Sequence, residues 1–254
     1  MMTTKQHLTI LTGASRGMGL ALAEQLLAPN AMLLCISRHA NPALANNAAQ
    51  RGAALEQWTQ DLADGVGAAQ RLQVWLQGLD ATQFASVTLI NNAGVIPTVA
   101  PLDQSAPAEL AHALRVGLEA PMVLCSAFLS ATRTWQVPRK VLNISSGLGR
   151  RAMASQAAYC AAKAGMDHFT RCMALDEALR PNGARVCSLA PGVIDTDMQV
   201  QLRTAPASQF PDRASFEGLH AHGQLTSPFD AARQVLSYLA RPDFGDKPVA
   251  DVRE

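Results

Sequence analysis

The sequence has 254 residues, a formal net charge of +1 and 16% charged residues. That length suits one α/β domain with a large core, and the near-neutral balance excludes the broad basic surface that a nucleic-acid partner needs. The five cysteines, Cys35, Cys125, Cys160, Cys172 and Cys187, are scattered and lack C-x-x-C spacing, which argues against a disulfide framework or a structural zinc site and for a reducing compartment.

Met1 to His7 leads straight into the apolar run Leu8–Leu11, which is too short for a secretory segment and has no small-residue cleavage site after it. No apolar stretch approaches about 20 residues, so no membrane span is expected and a cytoplasmic protein is. Leu8–Leu11 reads as a strand and Gly17–Ala28 as a helix ended by Pro29. Met32–Ser37 and Ala54–Trp58 read as further strands, and Gly67–Leu79 has helical spacing. Val87–Asn91 is a strand running into Asn92-Ala93-Gly94. Ser105-Ala106-Pro107 predicts a helix start with a capping serine, and the helix runs towards Trp135 with a break near Gly117–Pro121.

Lys140–Ile144 is the next strand. A long helix is predicted after Ser155, ending near Pro181-Asn182-Gly183, and is followed by the strand Arg185–Leu189. Ser227-Pro228 opens a helix to Leu239, and Pro248–Val252 is a short last strand. The strands are continuous apolar runs, which marks strands covered on both faces. The expected fold is therefore α/β: a single doubly wound Rossmann-type domain over residues 1–254, with a parallel sheet of about seven strands and helices on both faces. The loosely patterned stretch Gln199–Gln224 predicts a mobile lid over a site, at about residues 197–227.

Thr12-Gly13-Ala14-Ser15-Arg16-Gly17-Met18-Gly19 lies between the first strand and the first helix. Glycines there allow a tight turn and close approach to a pyrophosphate, and the helix N-terminus offers free N–H groups. NAD enzymes of this architecture carry an acidic residue about 20 residues further on. Here Ser37 and Arg38 stand in that place, so Arg38, with Arg16 from the glycine loop, predicts a 2′-phosphate and hence NADPH. Asp61, followed by Leu62, is placed to accept from an adenine amino group.

Tyr159 and Lys163 are four residues apart in the long helix and share a face, and Ser145-Ser146-Gly147 ends the preceding strand. Ketone reduction needs a proton donor at oxygen. An ammonium beside a phenol, with the charge of the oxidised nicotinamide nearby, is expected to lower the phenol pKa, and a serine hydroxyl can hold the carbonyl oxygen. His220 and His222 have poor spacing for a metal and no carboxylate cluster joins them, so no metal is expected.

Thr12–Gly19, Asn91-Asn92-Ala93-Gly94, Ile144-Ser145-Ser146, Tyr159-x-x-x-Lys163 and Pro191-Gly192 together resemble the short-chain dehydrogenase/reductase family over almost the whole chain. The resemblance implies catalytic roles for Ser146, Tyr159 and Lys163. It implies cofactor contacts at Gly13, Ser15, Arg16, Gly17, Met18, Gly19, Arg38, Asp61, Leu62, Asn91, Ala93, Gly94, Tyr159, Lys163, Pro191, Gly192, Val193 and Thr196.

Within that family, Ala158-Tyr159-Cys160 and Asp195-Thr196-Asp197-Met198-Gln199 resemble the benzil reductase and sepiapterin reductase branch. The activity implied is NADPH-dependent reduction of a small ketone, a 1,2-diketone such as benzil. The alternatives are pterin side-chain reduction, with Asp251 near the place of the branch's pterin-anchoring carboxylate, and an NADPH-binding sensor without turnover. Gly117 stands where the family carries an asparagine, and only its backbone carbonyl can serve the lysine's proton path. The long helix of this family pairs with its copy, which implies a homodimer or homotetramer.

Overall fold

The computed structural model describes residues 5–254; the opening Met1 to Thr4, part of the N-terminal reading above, lies outside the described residues. Along the chain, β1 (Gln6–Thr12), α1 (Gly17–Leu26), β2 (Ala31–Ser37), α2 (Pro42–Arg51) and β3 (Ala54–Thr59) come first. Next are α3 (Gly65–Gln77), β4 (Phe84–Asn91), α4 (Pro107–Leu114), α5 (Ala120–Ala131) and β5 (Arg139–Ile144). Then follow α6 (Ala157–Ala178), β6 (Arg185–Ala190), α7 (Asp197–Arg203), α8 (Arg213–Ala221), α9 (Pro228–Ala240) and β7 (Val249–Asp251).

Among the described residues the strands form one seven-stranded parallel sheet in the order β3-β2-β1-β4-β5-β6-β7. Chain direction across the sheet reverses between β1 and β4, and ligands of such sheets sit outside the carboxyl ends of the strands at that point. Alternate side chains feed opposite faces. Leu34 and Ile36 of β2 join the layer with α3, α5 and α6, where Leu72, Phe128 and Met173 meet them. Leu33 and Cys35 of the same strand join Leu22 of α1 and Val235 of α9 on the other face. Full burial on both sides explains why the strands lack polar alternation.

Four local readings change. α2 is absent from the sequence reading: its run of alanine, asparagine and glutamine buries only Leu44 and Ala48, so periodicity is weak, while Asn41 caps it by accepting from the Leu44 N–H at 3.0 Å. Ser105 does not cap α4; its hydroxyl bonds to the carbonyls of Pro101 and Ala100, and Ala106 takes the N-cap place without a side-chain bond.

The predicted helix break is a π-turn, Arg115–Glu119, that joins α4 to α5. The joined segment Pro107–Ala131 holds an 18-residue stretch with mean hydropathy 1.4, long and apolar enough by those measures to cross a membrane, although half of the stretch is buried inside the fold. The π-turn keeps the helical path continuous, and Glu109, Arg115 and Glu119 interrupt its apolar residues. Lastly, the lid segment is ordered by two helices, α7 and α8, with a small core of its own: Leu202, Ala205, Phe210 and Phe216 pack with Val99.

Candidate active site

The cavity at the carboxyl ends of the central strands has a volume of about 910 Å³. One end is built by the glycine loop. Gly13 and Gly17 are left-handed, at φ +72° and +54°. A Cβ on Gly19 would stand 1.9 Å from the Gly13 carbonyl oxygen, so only glycine lets the loop fold onto α1. Arg16 is the N-cap of α1 and makes no side-chain cap, which leaves the first N–H groups of the helix open to the cavity.

Neighbouring strands fix this loop. Thr12 Oγ1 accepts the N–H groups of Asn92 and Ala93, each at 3.0 Å. Asn92 Nδ2 donates back to the carbonyls of Thr12 and Gly13, and the Ala14 N–H donates to Ser37 Oγ at 2.8 Å. Ser15, Met18, Arg38, Asp61, Leu62 and Gly94 all reach the same cavity, and so do Ala93, Pro191, Gly192, Val193 and Thr196. Arg38 is exposed and its guanidinium has no ion pair among the described residues, whereas Arg16 pairs with Asp197 at 2.7 Å. Asp61 Oδ1 accepts the Ala63 N–H, which fixes the carboxylate at the rim.

Asn91 is corrected. Its side chain is 1% exposed, donates to Asn143 Oδ1 at 2.9 Å and to Cys125 Sγ at 3.3 Å, and is not among the cavity-lining groups. It bridges β4, β5 and α5, while Asn92 next to it faces the site. The uncapped helix end, the glycines that admit no Cβ and the open arginine at the ribose end together fit a phosphorylated dinucleotide.

The other end holds the chemistry. β5 ends at Ile144, so Ser146 leaves the sheet at its carboxyl edge, where its Oγ accepts the Leu148 N–H at 3.2 Å. α6 carries Tyr159, Lys163 and Asp167 on one face at successive turns. Lys163 is buried, donates from Nζ to the Ile144 carbonyl at 2.7 Å, and lies 5.7 Å from the centre of the Tyr159 ring. Burial lowers its pKa to about 8, against the pull of Asp167 in the other direction. Behind it, Asp167 accepts the hydroxyls of Ser145 and Ser188 at 2.6 and 2.7 Å and meets Arg150 Nε at 3.3 Å. This buried carboxylate anchors β5, β6 and the catalytic helix, and nothing in the Y-x-x-x-K spacing announces it.

The phenol of Tyr159 is buried beside Ser146. Burial pushes its pKa up, and the hydrogen bond with the Ser146 hydroxyl opposes this without reversing it. Desolvation of the phenolate is the largest cause, and the Cys160 thiol adds to it. The group is therefore held as a phenol, the form that can give a proton.

Gly117 is buried in the π-turn, and a Cβ there would meet Ala162 Cβ at 3.1 Å. Leu118 fills the space above Gly165 of α6, so the turn is seated closely on the catalytic helix. Asp251 is 8% exposed and lines the cavity, but Arg253 binds both of its oxygens at 2.7 Å and holds the carboxyl below the usual range. Sequence reasoning also missed two cavity-lining glutamines. Gln156 Nε2 and Gln199 Oε1 are buried atoms without a hydrogen-bond partner.

Residues 7–207 match the family model described as short chain dehydrogenase. The chain is 32% identical over 245 residues to a benzil reductase, (S)-benzoin forming, of Bacillus cereus, covering 96% of this chain and 98% of that one. It is 36% identical over 212 residues to a sepiapterin reductase of Xenopus tropicalis, covering 79% and 78%. Its fold superposes on the crystal structure of the KRED1-Pglu enzyme with a TM-score of 0.80 at 27% identity, covering 96% and 99%. Together with the geometry above, these matches place the chain in the short-chain dehydrogenase family.

Proposed function

We propose that this NADPH-dependent carbonyl reductase acts on a small 1,2-diketone of the benzil type. The observation that carries the reading is one cavity with Ser146 and Tyr159 at one end and Arg16 and Arg38 at the other. When bound, NADPH supplies the hydride. Gly13, Ser15, Gly17, Met18 and Gly19, with the open end of α1, would hold the pyrophosphate. Arg38 and Arg16 would take the 2′-phosphate, and Asp61, next to Leu62, would accept from the adenine amino group. Ala93, Gly94, Pro191, Gly192, Val193 and Thr196 line the path to the reacting end.

Ser146 donates its hydroxyl to the substrate carbonyl oxygen and keeps it beside Tyr159. Tyr159 then gives its phenolic proton to that oxygen as negative charge builds there. Lys163, held by the Ile144 carbonyl, keeps an ammonium near the phenol and favours the phenolate that this transfer leaves. Asp167 holds that lysine's helix against β5 and β6.

The wall beyond Tyr159 is apolar, with Ile96, Met153, Met198 and Phe216, which suits an aryl or alkyl diketone. The similarity to benzil reductases, over nearly the full length of both chains, supports the same choice. A pterin substrate is favoured by a different observation, Asp251 in the cavity wall, and it requires Arg253 to release that carboxylate. NADPH oxidation with benzil and with sepiapterin separates the two.

The exposed side of α6 carries Leu175 at 71% exposure, Leu179 just past its end is at 86%, and Met122 of α5 is at 45%. These residues support pairing of this face with its copy, as a homodimer or half of a homotetramer. The five unpaired cysteines support residence in the reducing cytoplasm.

A further inference from the structure

We infer that Gln156 sets substrate choice by donating a hydrogen bond from Nε2 to the second oxygen of a dicarbonyl substrate; this rests on the diketone reading above. Gln156 is 1% exposed and lines the cavity that contains Ser146 and Tyr159. Its Nε2 has no partner among the described residues. Buried polar groups in folded proteins are nearly always paired, so an unpaired donor on a side chain of the cavity wall marks the place of a group that arrives with the ligand.

The amide has no local duty that would explain it. Gln156 is the N-cap residue of α6, but its side chain makes no capping bond. Its backbone carbonyl accepts the Cys160 N–H at 2.9 Å, so Gln156 and Tyr159 share the first turn of the helix. The residue before it is held firmly. Ser155 is left-handed at φ +61°, the one non-glycine residue with positive φ among the described residues. Its hydroxyl donates to the Gln209 carbonyl at 2.5 Å, which ties the start of α6 to the lid between α7 and α8. A left-handed residue held by that hydrogen bond gives the next side chain a set position.

Gln199 offers the opposite polarity. Its open atom is the acceptor Oε1, which suits a ligand N–H or O–H and gives nothing to a carbonyl. A 1,2-dicarbonyl brings two acceptor oxygens side by side. Ser146 and Tyr159 take the one that reacts, and Gln156, one helical turn away, takes its neighbour. A monoketone leaves the Gln156 donor buried and open, which sites of this kind reject.

The test compares the parent enzyme with Gln156→Met and Gln156→Glu on matched pairs: benzil with deoxybenzoin, and 1-phenyl-1,2-propanedione with propiophenone. Gln156→Met should lower kcat/KM on the diketones roughly tenfold and change the monoketones by less than about twofold. Gln156→Glu donates while its buried carboxyl is protonated, so its diketone preference should persist at low pH and fall as that carboxyl ionises. NADPH titration by fluorescence verifies that each variant retains its folded cofactor site. Equal loss on both members of a pair, or no loss on either, in Gln156→Met would overturn the assignment alone. A parent enzyme that reduces neither diketone would instead overturn the diketone reading, and this assignment with it.

Discussion

Arg16 and Asp197 meet at the cavity, Nη1 to Oδ2 at 2.7 Å, and so tie the glycine loop to the first helix of the lid. Both side chains are largely exposed, at 69% and 76%. A pair of that kind contributes only about 0.2–1 kcal/mol, so a cofactor phosphate competes well for the arginine. Asp197→Asn is accordingly expected to tighten NADPH binding by roughly two- to fivefold, with less effect on NADH. Fluorescence titration measures this. Weaker NADPH binding in the variant would mean that Asp197 presents Arg16 instead of competing for it.

The glycine loop yields a second expectation. Because a Cβ at residue 19 collides with backbone of Gly13 and with Asn92 Nδ2, Gly19→Ala must displace the loop from β4. NADPH affinity should fall by at least about tenfold, which corresponds to about 1.4 kcal/mol. Isothermal titration gives the affinity, and unchanged binding would show that the loop is looser than its packing.

A pH profile follows from Lys163. Its pKa near 8 means that the ammonium is present below that pH and is lost above it, while Tyr159, shifted upward, keeps its proton throughout that range. Reductive kcat/KM should therefore be level on the acid side and decline as pH rises through about 8, towards tenfold per unit. A profile that rises through the same range would contradict the role given to the charged lysine.

Gly117 leads to an expectation about repair. Restoring the family's asparagine places its Cβ against Ala162 at 3.1 Å, in a turn already seated on α6. Gly117→Asn should lower Tm by a few degrees, about 1–3 kcal/mol of overpacking, and should not raise kcat. A gain of about a hundredfold, near 3 kcal/mol of barrier, would reveal a site impaired by the glycine.

Thiol chemistry reports on assembly. Burial raises Cys35, Cys125 and Cys187 to about 12, whereas Cys172 is exposed on α6. A thiol reagent at neutral pH should leave those three unmodified in the native protein. If the α6 face pairs with its copy, Cys172 should react faster on dilution; a rate independent of concentration would argue against pairing through that face.

Much of this was legible in the sequence because backbone constraints leave residue signatures. Gly13, Gly17 and Gly19 announce the turn, Tyr159 and Lys163 announce a helix face, and the apolar runs announce a sheet buried on both sides. What escaped depended on distance. Asn91 and Asn92 are adjacent and chemically alike, and only the strand's alternation decides that Asn92 faces the cofactor end while Asn91 bonds to Asn143. Asp167, Gln156 and Gln199 matter through partners they have, or lack, on other elements. Spacing shows that a lysine is near Tyr159, and it does not show how deeply the phenol is buried. The lid's two helices were hidden because their apolar residues serve a small separate core around Phe210.

The most direct test of the account is NADPH oxidation by the purified enzyme with benzil, simple ketones and sepiapterin, with Tyr159→Phe measured alongside. Turnover strongest on benzil, and reduced by at least about a hundredfold in Tyr159→Phe while NADPH still binds, is the expected result. Equal turnover by Tyr159→Phe would contradict the assignment of the proton donor, and a preference for sepiapterin would contradict the diketone reading.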